Sequence, residues 1–245
     1  MRATQTRVYQ KAEQVHETRV GHTWSIDTWT TDAEDYQGRK YCTVCRDHAS
    51  GYFVLIHSAR RSELPQQIKD MVIELRTNSL FDNFDYEIMS EIHLDLAGEF
   101  SPESEEFQQV AHELGIQLKY ASPHDKRTNN HAENAVKIIE LKTKASMATF
   151  NVPVQWWSHV ADSVAKILNL TPMTKNIVSR DQDAVRPIEE LSKGKVSRTE
   201  CDKRVAAHTV PGTPCLVQLP HGPKASSITN YARSRNGIAV DMLDT

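Results

Sequence analysis

The sequence predicts an α/β chain: a five-stranded mixed sheet flanked by helices, followed by a small β-containing C-terminal appendage. Three observations predict it. Before position 60, three consecutive runs rich in β-branched and aromatic residues are joined by polar or tight connections. Beyond them, short apolar runs alternate with amphipathic helical patterns, as strands linked through helices do. After Pro172 the pattern loosens, and the remaining apolar runs are short.

Residues 1–22 are polar and without clear periodicity, which predicts an N-terminal arm. The first strand is WSIDTWT from Trp24, with apolar residues on both sides of Asp27. RKYCTVCRD and GYFVLIHS are the second and third strands. Ala49, Ser50 and Gly51 form the tight connection between them, so the three make an antiparallel meander. Ser62 is the expected cap of a helix with Pro65 in its first turn and Ile68, Met71, Val72 and Leu75 along its apolar face.

YEIMSEIHLD is a buried strand ending in Asp95. Pro102-Glu103 opens a helix whose face is Phe107, Val110, Ala111 and Leu114 and which Gly115 stops. IQLKYA is the fifth strand. Then SPHDKRTNNHAEN, too polar to pack a core, leads into a helix with Glu133, Lys137, Glu140 and Lys144 on one polar face. Val136, Ile139 and Thr143, flanked by Ile138, Leu141, Ala145 and Ala148, predict its buried stripe. VPVQWWSHVADSVAKILNL is a further helix, started near Pro153, in which Trp156 and Trp157 are expected in the core or at a subunit interface. Beyond a boundary near 172–185, a short helix around Ile188–Leu191 and a polar stretch with Gly194 precede strands at PGTPCLVQLP and NGIAVDML. The predicted divisions are an arm at 1–22, a core at 23–175 and an extension at 176–245.

Composition bounds the function classes. The chain has 245 residues, 39% of them apolar and 25% charged, with a net charge of −3, so a nucleic-acid surface must be local rather than global. No apolar run is long enough to span a membrane, and the N-terminus does not read as a signal peptide. Four cysteines are too few for a disulfide scaffold and suit an intracellular, reducing setting.

The carboxylates carry the chemistry. Asp27 lies mid-strand among apolar neighbours, Asp95 ends a buried strand, and Glu133 opens a helix where the dipole favours negative charge. If the first and fourth strands are adjacent and the Glu133 helix crosses them, three acids converge on Mg²⁺ or Mn²⁺. Two such ions stabilise both oxygens of an in-line phosphoryl displacement. Each acid also has an ordinary reading, as a sheet-edge or helix-capping residue. Lys119, Lys126, Arg127, Lys137, Lys142 and Lys144 make the surroundings locally basic. Lys137, one turn after Glu133, is the best candidate for a DNA phosphate; a solvated face serves Lys142 and Lys144 equally well. His16, His22, Cys42 and Cys45 have zinc-like spacing. However, Cys42 and Cys45 are three apart on one strand and so on opposite faces, and zinc is not expected.

Taken in order, these segments resemble the catalytic core of retroviral-type integrases, most closely that of copia-type LTR retrotransposons. IDTWTTD resembles the first-aspartate strand and HLDLAGEF the second-aspartate motif. RDHASGYF is similar to an Asp-x-x-Ser-x-aromatic turn, and RRSE to the start of the next helix. FQQVAHELGI and SPHDKRTNNHAEN stand where the family has a helix and then the loop that ends in its Glu. Pro153, Trp157, Asn169 and Pro172 follow a Pro-x-x-x-Trp…Asn-x-x-Pro pattern, and ARSRNGIAVDM resembles a downstream strand.

The resemblance implies an RNase H-like fold and metal-dependent DNA 3′-end processing and strand transfer. It implies Asp27, Asp95 and Glu133 as catalytic residues and ligands of two Mg²⁺ or Mn²⁺ ions. DNA contacts would come from Lys137, Asn129, Asn130, His131, Lys126 and Arg127, on element-end and target DNA, in a homo-oligomer that works in the nucleus. Asp95 and Glu133 are separated by 37 residues, two more than the family's usual spacing. Leu96 and Ala97 replace the usual Asn-Gly, Asn130 the flexible loop glycine, Asn134 a basic residue, and Val136 an asparagine. These departures leave open an inactive nucleic-acid-binding remnant; a related DDE transposase or RNase H-type nuclease is a further alternative, against which the Trp157-to-Pro172 helix argues.

Overall fold

The computed structural model describes residues 19–95, 100–120, 130–172 and 185–208, with the backbone of 214–218 and 234–238. Three strands, β1 (Thr23–Thr30), β2 (Tyr41–Asp47) and β3 (Phe53–Ser58), form the expected antiparallel meander. Two more, β4 (Glu91–Leu94) and β5 (Gln117–Tyr120), run parallel to β1, giving the sheet order β3-β2-β1-β4-β5. Parallel pairing requires a crossover. α1 (Leu64–Thr77) intervenes between β3 and β4, and α2 (Glu105–Glu113) between β4 and β5.

The period-2 alternation of the strands divides the core into two layers. Trp24, Ile26, Cys45, Ile92 and Leu94 pack with Ile68, Met71 and Val72 of α1 and Phe107 of α2. Cys42, Val44 and Phe53 point the other way, against Ala135 and Ile139 of α3 (Asn130–Phe150) and Trp157, Ala161 and Val164 of α4 (Trp157–Leu170). Cys42 and Cys45 thus lie on opposite sides of the sheet. Burial among apolar neighbours pushes both thiols' pKa values up.

Several local expectations are corrected. Residues 61–63 form a short 3-10 turn before α1, so Ser62 does not cap the helix. Glu63 instead folds back on the N–H groups of Ala59 and Arg60, at 3.1 and 3.3 Å. α2 begins at Glu105 after Ser104 rather than at Pro102-Glu103. In α3 the buried line is Ala132, Ala135, Ile139 and Thr143. Val136 and Ile138 are half-buried, Ala145 and Ala148 are exposed, and Leu141 is 62% exposed. The polar stretch after Gly194 contains α6 (Arg198–Ala207), which follows α5 (Pro187–Leu191). Ile188, Leu191, Val196 and Cys201 from this region join the core cluster of α1 and α2. β6 (Pro214–Gln218) and β7 (Ser234–Ile238) pair antiparallel with each other.

Three buried polar devices hold the frame. Asp47, fully buried, accepts hydrogen bonds from the Ser50 N–H at 2.7 Å, the Ser50 hydroxyl at 2.6 Å and the Gly21 N–H at 3.0 Å, closing the β2–β3 turn. Gly21 has φ +79°, and a Cβ there would meet Leu191 Cδ1 at 3.0 Å, so both the backbone and the neighbour favour glycine. Asp35 accepts from the Arg39 N–H and guanidinium, the Gln37 N–H and the Ser158 hydroxyl, tying the β1–β2 connection to α4. Burial raises its pKa, but these hydrogen bonds and the guanidinium outweigh that effect, so the carboxyl sits below its ordinary value. Finally, Asn169 of α4 accepts from the Phe53 N–H and donates to the Phe53 carbonyl, both at 2.8 Å.

The Asn169 clip pins the edge strand β3 to the helix above it, with Asn169 only 8% exposed. Asn169→Ala leaves a buried donor and acceptor unpaired and is expected to cost about 2–4 kcal/mol, read as a lower urea midpoint at unchanged m-value. A midpoint equal to wild type would show that the clip contributes nothing.

Candidate functional site

The site is built where β1, β4 and α3 meet. Trp29 packs with the α3–α4 core layer, so Asp27, two residues earlier on β1, faces the same side. On β4, Ile92 and Leu94 belong to the opposite layer, which turns His93, and Asp95 immediately after the strand, toward α3. The parallel register pairs Thr23 with Glu91 and Ser25 with His93. Asp27 and Asp95 each lie two residues beyond the last of these pairs. Asp27 is half-buried, and its Oδ1 accepts from the Thr28 N–H at 2.7 Å; Asp95 is exposed.

α3 packs over β1 and β2, and its first turn carries Glu133. Ala132 and Ala135 are fully buried in that turn; their small side chains allow the helix to approach the sheet closely. Glu133 and Lys137 remain exposed one turn apart. Asn130 and His131, also exposed, begin the helix; Asn129, Lys126 and Arg127 lie outside the described residues.

The electrostatic frame around these acids is partly self-neutralised. Glu91 at the start of β4 is buried and bonds Lys119 at 2.6 Å and His93 at 2.8 Å. Its burial raises the pKa, but Lys119 and His93 outweigh that and hold the carboxyl below its ordinary value. Lys144 pairs with Glu140 at 2.7 Å and stands over the Trp29 ring at 5.8 Å. Lys119 and Lys144 therefore contribute less to a basic patch than their spacing suggests, whereas Lys137 and Lys142 stay exposed. Trp157 is buried against Trp29 and His57, whereas Trp156 joins Tyr36 and His159 in a partly exposed aromatic cluster.

Sequence reasoning missed two histidines, His48 and His93, and named His131 only as a DNA contact. The His48 ring contacts both His93 and His131. A partial signal was present, since Ser25 and His93 stand two residues before Asp27 and Asp95 and so share their strand faces. His48 itself gave none, because only the fold brings the β2–β3 turn to that place.

As a test of fit for a metal, the donors are hard oxygen ligands suited to a divalent cation, and the backbone sets them on one side of the sheet. Among the described residues, no three His, Cys, Asp or Glu side chains stand close enough together to hold an ion.

Solved structures share the fold. No family model matches the chain, and no curated protein sequence does. A chain of the simian T-cell lymphotropic virus intasome, solved in complex with PP2A regulatory subunit B56 gamma, superposes with a TM-score of 0.51 at 16% identity. The match covers 91% of this chain and 69% of that one. The chain has an RNase H-like fold of the retroviral integrase type. The HTLV-2 integrase catalytic core domain, in complex with magnesium in its dimeric form, matches at 15% identity and a TM-score of 0.48, over 70% of this chain and 96% of that one. The catalytic core domain of BIV integrase matches at 12% identity and a TM-score of 0.48, over 73% of this chain and 99% of that one. At these identities the likeness is one of fold. Among the described residues, no helix is long and apolar enough to cross a membrane.

The close approach of α3 is the testable part of this geometry. Ala135→Leu adds bulk where Ala135 has no exposed surface and is expected to cost about 1–3 kcal/mol, measured by urea unfolding. Ala135→Ser should stay close to wild type; equal stability of all three proteins would contradict a tightly seated first turn.

Proposed function

We propose that this chain is the catalytic domain of an integrase from a retrotransposon of the copia type, carrying out metal-dependent DNA 3′-end processing and strand transfer. The observation that carries the reading is the parallel β1–β4 pairing, which runs to Ser25 and His93, two residues before Asp27 and Asp95, together with α3 packed over β1 and bearing Glu133 in its first turn. The likeness to integrase structures supports the fold in which such a site occurs, and the ordered motifs from Asp27 to Pro172 support the copia-type assignment. Among the structures it resembles are an HTLV-2 core in complex with magnesium and a viral intasome. By analogy, DNA and further copies of the chain are the proposed partners.

In this reading Asp27, Asp95 and Glu133 would hold two Mg²⁺ or Mn²⁺ ions. The ions would neutralise charge on the attacking and leaving oxygens of phosphoryl transfer. Water first cleaves the element's 3′ end, and the freed 3′-hydroxyl then attacks a target phosphodiester. Lys137, exposed one turn beyond Glu133, neutralises a DNA phosphate, while Asn130 and His131 offer hydrogen bonds at the mouth of the helix. Lys126, Arg127 and Asn129 complete the proposed DNA-contacting loop.

A catalytically inactive, nucleic-acid-binding remnant is the second reading. It is favoured by Asn130 in place of the flexible loop glycine.

Mn²⁺-dependent joining of duplex oligonucleotides to a supercoiled plasmid separates the two readings. Wild type should show joining, and Asp95→Asn should reduce it by about 100-fold or more. Equal rates, or a folded wild type that neither joins DNA nor takes up Mn²⁺ in calorimetry, would overturn the enzyme reading. Lys137→Ala should weaken duplex binding uniformly across sequences and lower the salt slope by about one unit, measured by fluorescence anisotropy. An unchanged slope would remove Lys137 from the DNA contact.

A further inference from the structure

We infer that His48 is a positioning residue that locks together the three segments bearing Asp27, Asp95 and Glu133; its bearing on metal binding rests on the function proposed above. His48 Nε2 and the Ser25 hydroxyl share a hydrogen bond of 2.5 Å, and Ser25 lies two residues before Asp27. The His48 ring meets His93, two residues before Asp95, edge-on at 4.8 Å between centroids. The same ring stacks on His131, two residues before Glu133, at 4.5 Å and an interplanar angle of 20°. One side chain from the β2–β3 turn therefore contacts a close sequence neighbour of each acid.

The contacts differ in what they transmit. On β1 and β4 a separation of two residues keeps the same face, so Ser25 and His93 lie directly along the strand from their acids. On α3 two residues turn about 200°, so His131 and Glu133 flank the buried line of Ala132 and Ala135 from opposite sides. Stacking His131 against His48 consequently fixes the rotation of the first turn, and Glu133 with it. The anchor itself is rigid. The His48 N–H donates to the Thr23 carbonyl at 2.9 Å, and the neighbouring Asp47 is held by the buried bonds of the turn. His93 is braced from behind by Glu91, which also bonds Lys119.

Stacking and hydrogen bonding are separable by substitution. His48→Phe keeps an aromatic ring for His93 and His131 and loses the bond to Ser25; His48→Gln keeps a polar group for Ser25 and loses the stack. Amide hydrogen exchange of the full chain reads the clamp without reference to activity. His48→Gln is expected to raise exchange in the first turn of α3 about tenfold over wild type, with α1 and the later turns of α3 unchanged. His48→Phe should leave that turn within about threefold of wild type. Mn²⁺ affinity by calorimetry should fall about tenfold in His48→Gln, the scale of an outer-shell effect, and stay near wild type in His48→Phe.

Unchanged exchange in His48→Gln, or a rise spread evenly over the fold, overturns the clamp. A local rise in exchange with wild-type Mn²⁺ affinity overturns the positioning role. A wild type that shows the His48-dependent protection but binds no Mn²⁺ overturns the metal reading and the placing of ligands with it. The exchange data distinguish that failure from failure of the clamp.

Discussion

Parallel pairing of β1 with β4 is the constraint from which most of the structure follows. The pairing cannot be made by a hairpin, so the chain must travel out through β2, β3 and α1 before β4 can join β1 on its other edge. With β1 central, both faces of the sheet must be covered, and the two helical layers meet that need. The same pairing sets Ser25 beside His93, two residues before Asp27 and Asp95 respectively. A one-residue slip would turn every β1 side chain to the other layer, sending Trp24 and Ile26 toward α3 and α4, so the hydrophobic alternation that stabilises the sheet also selects the face the acids occupy.

Polar groups do their work at the margins of this frame. Asp47 closes the β2–β3 turn, Asp35 ties the β1–β2 connection to α4, and Asn169 holds the backbone of the edge strand. Each is buried and multiply bonded, as a buried polar group must be to avoid a penalty larger than its net contribution. Two belong to motifs that stood out in the sequence: Asp47 and Ser50 in the Asp-x-x-Ser-x-aromatic stretch, and Asn169 in the Asn-x-x-Pro stretch. Both have an architectural explanation independent of catalysis.

The helix α3 shows where pattern reading was sound and where it went astray. Its existence, its first-turn acid and its lysine-bearing face followed from spacing. Of its buried line, Ile139 and Thr143 followed too, but Ala132 and Ala135 did not, because hydropathy favours large residues such as Leu141 and Val136, whereas close seating on a sheet selects small ones. α6 escaped for the opposite reason: it buries Cys201 alone, so it has little apolar periodicity, although Ser197 and Glu200 mark its start and the Ser197 side chain accepts from the Glu200 N–H.

Local alternation and helical spacing were enough to specify five strands, their flanking helices and the candidate acids, because those signals depend on the period of the backbone and on little else. Tertiary structure decided which of those elements meet. The union of Ser25, His48, His93 and His131 joins residues from β1, β4, the β2–β3 turn and α3, and no spacing along the chain encodes it. Such a contact depends on strand order and on how closely a helix can approach, both set by the simultaneous packing of the whole core rather than by any one segment.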